Sequence, residues 1–79
     1  SNKMTLVFAL MLETLVGGYV DKVEEFGVFE DVDHCIYFGQ SITRQGISRS
    51  ASKLDYTVPV KAYCLPKWVD PETTEIFKR

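Results

Sequence analysis

The sequence predicts an α+β fold, a small β-β-α-β domain, and three observations carry that prediction. Residues 4–12 are apolar on both alternating sets, Gly17-Gly18 marks a hairpin turn, and residues 31–45 repeat apolar side chains at helical spacing. The chain has 79 residues, 46% hydrophobic and 25% charged, which excludes the low-hydrophobicity, high-charge composition of a disordered chain. At this length one core, and therefore one domain over 4–79, is expected, with residues 1–3 read as a tag remnant.

The first strand, MTLVFALML, presents Leu6, Phe8, Leu10 and Leu12 on one face and Thr5, Val7, Ala9 and Met11 on the other. Both faces call for burial. Glu13 interrupts the run and no cleavage pattern follows, so it does not read as a signal peptide. It also falls short of the roughly 20 apolar residues of a membrane helix, and a cytoplasmic protein is expected. Two glycines tolerate the positive φ angles of a type I′ turn, so a second strand returns from Tyr19 to about Phe26. A two-residue turn sets Glu13 opposite Lys22, and the charges of this strand suit a sheet edge.

Asp31 is a good N-cap for a helix over 31–45, Arg44 suits its negative end, and Gly46 stands where a left-handed C-cap belongs. Val32, Cys35, Ile36, Gly39, Ile42 and Thr43 form the stripe toward the sheet, with Gly39 permitting close packing. Residues 47–56 are serine-rich and read as a mobile loop. A third strand is expected from Thr57 to Leu65, at an edge because of Pro59. Asp70-Pro71 then opens a short C-terminal helical turn. The expected sheet is three-stranded and antiparallel in the order 2-1-3, with one helix on one face. That leaves the Val7, Ala9, Met11 side to be covered by the tail (Trp68, Val69, Ile76, Phe77), by a second copy, or by another protein.

Candidate chemistry is sparse. Cys35 and Cys64 read as two buried free thiols or as a disulfide, since both can face the space between helix and sheet. A reducing compartment would leave them free. Adjacent helix positions diverge by about 100°, so His34 and Cys35 do not share a metal ion or form a nucleophile pair. His34 reads as an exposed residue held by Asp31 or Glu30. The acids Glu24, Glu25, Glu30, Asp31 and Asp33 are accounted for by an edge strand and a helix start. No phosphate loop or nucleophile elbow is present. No catalytic residue, metal ligand set or cofactor is expected, and the protein reads as a non-enzyme.

Charge is uneven although the net value is −2. The segment 40–69 carries Arg44, Arg49, Lys53, Lys61 and Lys67 against Asp55 alone, interleaved with Tyr56, Tyr63 and Trp68. That pattern suits single-stranded nucleic acid. The sequence pI of about 5.2 argues against it.

Met4-Thr5-Leu6-Val7-Phe8, Asp33-His34-Cys35 with Phe38, and Tyr63-Cys64-Leu65-Pro66 together resemble a group of short uncharacterised proteins of large tailed phages (myoviruses) of marine cyanobacteria. Residues 12–26 are longer than the hairpin of that group. The resemblance implies no activity, but it implies a setting: a viral accessory protein made inside a bacterial host. Such proteins commonly bind a host protein. The expected function is therefore a protein-binding module acting on a host or viral protein, or on itself as a homodimer, through a face containing Val7, Ala9, Met11 and Trp68. The alternatives are a nucleic-acid-binding accessory protein and a small virion or assembly component.

Overall fold

A computed structural model describes residues 3–45, 47–51 and 54–78, and side chains at 3–45 and 59–78. The elements are β1 (Thr5–Val16), β2 (Tyr19–Phe29), α1 (Val32–Gln45), β3 (Ile47–Ala51), β4 (Leu54–Val58), β5 (Val60–Val69) and β6 (Ile76–Phe77). A mixed four-stranded sheet runs β5-β1-β2-β6, and β3 pairs with β4 as a separate hairpin. The most apolar strand, β1, lies at the centre and pairs antiparallel with both β2 and β5.

The β1–β2 hairpin closes through Gly17 and Gly18 at φ 60° and 83°, with Val16 opposite Tyr19. Both φ values are those a type I′ turn demands. Beyond the turn the register departs from the simple expectation. It shifts between Thr14 and Leu15, so Lys22 faces Thr14 and Val23 faces Glu13. The expected Glu13–Lys22 pair is thereby lost; Lys61 of β5 stands opposite Glu13 instead. A second shift, between Leu10 and Met11, sets Phe26 outside the ladder. Each bulge adds a residue to β2 and reverses which of its side chains face the helix.

Asp31 caps α1 as expected, its carboxylate accepting from the Asp33 amide at 3.1 Å. Cys35 and Gly39 are its buried residues. A Cβ on Gly39 would stand 3.1 Å from Leu10 Cδ1 and 3.4 Å from Ala62 Cβ, so a side chain there would push the helix off the sheet. Val32, Ile36 and Thr43 of the expected stripe lie at its exposed flanks. Gly46 lies outside the described residues.

Three expectations for the second half are corrected. The segment 47–56, read as a loop, contains β3 and most of β4, paired from Ile47↔Val58 to Ala51↔Leu54. Serine and charge in a short hairpin resemble loop composition, which hid it. The third strand breaks at Pro59, whose carbonyl accepts from the Leu15 amide at 3.0 Å, and β5 continues to Val69. The C-terminal helical turn is a reverse turn: Asp70 Oδ1 accepts from the Glu72 amide and Asp70 O from the Thr73 amide. Asp followed by Pro begins a type I turn as readily as a helix. The chain then enters β6, where Val28↔Ile76 and Phe29↔Phe77 pair in parallel and Glu30 N donates to Phe77 O at 2.9 Å.

Candidate functional site: the groove between α1 and β5

Register assigns every β1 and β5 side chain to a face. On the helix side, Leu10 and Leu12 join Phe29, Cys35 and Val60 in one core, with Phe8, Ile42, Ala62 and Cys64 packed against it. On the other side, Val7, Ala9, Val28 and Val69 form a second core, joined by Met11 and Ile76. Val7 is 1% and Ala9 2% exposed within a single chain. Lys67, opposite Val7, reaches Glu25, opposite Met11, at 3.0 Å, and the register places Ala9 between them.

These observations overturn the expected interaction face. Val7 and Ala9 are sealed by the chain's own strand ends Val69 and Ile76, and Met11 is half-buried. Trp68, 64% exposed, pairs with Leu6 and so points to the opposite side of the sheet from Val7. The four residues do not share a surface.

The basic residues are also dispersed. Arg44 is on the last turn of α1, whereas Lys61 and Lys67 are on the far side of β5, Lys67 paired with Glu25. Lys53 lies outside the described residues, as do the side chains of Arg49 and Tyr56. Tyr63 donates its hydroxyl to Glu13, whose carboxylate raises the phenol pKa above the ordinary 10.0, with desolvation adding to the effect. His34 is half-buried in an aromatic cluster and not the expected exposed residue held by Asp31 or Glu30. Its ring centroid lies 5.1 Å from Phe29 and 5.0 Å from Phe38, both in edge-on contact, and its Nδ1 has no hydrogen-bond partner. Phe77 extends that cluster at 5.1 Å from Phe29.

Cys35 and Cys64 are joined by a disulfide with Cα atoms 6.3 Å apart. It ties the buried face of α1 to β5, and neither cysteine is a free thiol. Beside it opens a cavity of about 580 Å³ between α1 and β5. Leu10, Gly39 and Ala62 line it together with Ile36, Gln40 and Arg44 from one flank of the helix. The backbone of β5 bounds it, and β5 is an edge of the sheet. Arg44 is the charged residue in the lining; it is exposed and has no ion-pair partner among the described residues.

Sequence reasoning found Arg44 and Cys64 but missed the groove. The available signal was the i, i+4, i+8 spacing of Ile36, Gln40 and Arg44, which share a helix flank. Their relation to β5 depends on which side of the helix the edge strand occupies, a tertiary fact. Among the described residues no helix is long and apolar enough to cross a membrane, and no three His, Cys, Asp or Glu side chains gather at ion-binding distance. No family model, curated protein or solved structure matches the chain.

Proposed function

We propose that the protein is a non-enzymatic binding module that docks on another protein through the α1/β5 groove, in the setting of a phage accessory protein acting on a host or viral protein. The observation that carries this reading is the coincidence at one place of an open cavity, an Arg44 without an ion-pair partner among the described residues and a sheet edge without a neighbouring strand among them. Exposed edges invite strand pairing and are normally blunted. A basic, aromatic surface for single-stranded nucleic acid has no comparable support, because Lys67 is neutralised by Glu25 and Tyr63 is engaged by Glu13. Cytoplasmic location is the accompanying proposal, and the Cys35–Cys64 bond pulls against it, since glutathione and thioredoxin keep cytosolic thiols reduced. Thiol trapping of the pair in intact cells measures the compartment directly.

The docking reading is tested by site-specific photo-crosslinking in nuclease-treated cyanobacterial lysate. A benzophenone side chain at Gln40, in the groove, is expected to give one discrete protein adduct, and the same probe at Tyr19, at the hairpin tip, none. Equal labelling from both positions, or no adduct from Gln40, would remove the groove as the contact.

A further inference from the structure

We infer that the groove takes an extended acidic peptide, added as a strand to the free edge of β5 with a carboxylate on Arg44. This deepens the docking reading above and rests on it.

The backbone phase of β5 is fixed by two observations. Leu15 N–H donates to Pro59 O, so the odd-numbered residues of β1 turn their amides toward β5. The register Glu13↔Lys61 through Thr5↔Val69 is unbroken, so Lys61, Tyr63, Leu65, Lys67 and Val69 form the hydrogen-bonded pairs with β1. The even residues Val60, Ala62, Cys64, Pro66 and Trp68 therefore aim their backbone groups outward. Pro66, which has no N–H to give, falls in this outward set, as a proline in a paired strand must. It closes the edge at one end. Ahead of it Val60, Ala62 and Cys64 present donors and acceptors to an incoming strand over about 13 Å.

Ala62 and Cys64 also point their side chains to the helix face, opposite Leu12 and Leu10. A strand paired to them turns every second side chain under the flank of α1. There it meets the apolar lining of Leu10, Ile36 and Ala62, and beyond it Arg44. Alternate residues on one strand face stand about 7 Å apart, so the fitting pattern is an apolar residue and an acid separated by one position. A planar guanidinium with no ion-pair partner among the described residues favours a carboxylate, bidentate, over any neutral group. A basic peptide is repelled by the same residue. This is recognition by strand addition, with main-chain pairing supplying affinity and alternate side chains supplying selectivity.

The test uses the oxidised 79-residue protein and a phage-displayed library of random peptides, followed by the enriched peptide made synthetically and titrated by NMR. Enrichment of an apolar-x-acid pattern is expected, with the largest amide shifts at Ala62, Cys64 and Arg44. Arg44→Glu is expected to weaken binding about tenfold or more, and changing the peptide acid to lysine to restore it in that variant. N-methylation of the peptide at positions of one parity abolishes binding, whereas the other parity tolerates it. No enrichment, a helical or basic consensus, or shifts confined to another surface would overturn the inference. A Gln40 crosslink to a folded protein without peptide selection leaves the docking reading standing and strand addition refuted; loss of both results refutes both.

Discussion

Reducing the Cys35–Cys64 bond removes a constraint on the unfolded chain, and the size of the effect follows from its position. The cysteines are 29 residues apart, and closing a loop of that length lowers the entropy of the unfolded state by about 12 cal/mol/K, or about 3.5 kcal/mol at 25 °C. A domain of this size has a total stability of roughly 4–12 kcal/mol, so the bond supplies about a third of it or more. The packing around it persists on reduction. Cys35 is fully buried with Leu10, Leu12, Phe29 and Val60, and a thiol there behaves as a small apolar side chain. The reduced protein is thus expected to remain folded but to melt about 15–25 °C lower. Urea titrations with and without a phosphine reductant measure the difference. The urea m-value should rise on reduction, because the released chain expands further when unfolded. A stability difference below about 1 kcal/mol, with the bond verified by mass, would refute the loop-entropy reasoning.

Thr14 is buried and its hydroxyl finds no partner among the described residues, so Thr14→Val should raise stability by about 1 kcal/mol in the same urea assay; a loss would mean the hydroxyl is bonded. A Cβ on Gly27 would lie 2.6 Å from the Phe77 ring, so Gly27→Ala should cost about 1–3 kcal/mol by displacing β6. In a Phe77→Ala background that cost should vanish, and a double-mutant cycle showing simple additivity would contradict the contact. Tyr63 should ionise above 10.0, and Glu13→Gln should bring it back toward that value, read by ultraviolet titration against Tyr63→Phe. The Glu13 hydrogen bond favours the neutral phenol. Its stabilisation is therefore complete below the unfolded tyrosine value and disappears as pH rises through the higher folded one.

What could be read from the sequence was local or periodic. The Gly17-Gly18 turn, the two-faced character of β1 and the Asp31-capped helix each follow from a few consecutive residues, and the order β2-β1-β5 followed from burying the most apolar strand. Bulges were not legible, because one extra residue at Phe26 satisfies apolar patterning as well as an unbroken ladder does. β6 was hidden for another reason: Ile76 and Phe77 pair only because the Asp70 turn returns the chain to the edge of β2. The sealing of Val7 and Ala9 depends on that same return. The candidate surface was misplaced accordingly, since an apolar strand face announces itself in sequence and an unpaired backbone edge does not. Trp68 illustrates the parity problem, as a single register step decides which side of the sheet it occupies.

Among the described residues β5 offers a backbone edge without a neighbouring strand along the groove. Residue-resolved hydrogen exchange on the isolated protein measures whether that edge is free. Protection along β5 is expected to alternate: the amides of Tyr63 and Leu65, paired to β1, exchange slowly, whereas those of Ala62 and Cys64 exchange near the free-peptide rate. Equal protection of all four amides would show that the edge of β5 is already covered and not free.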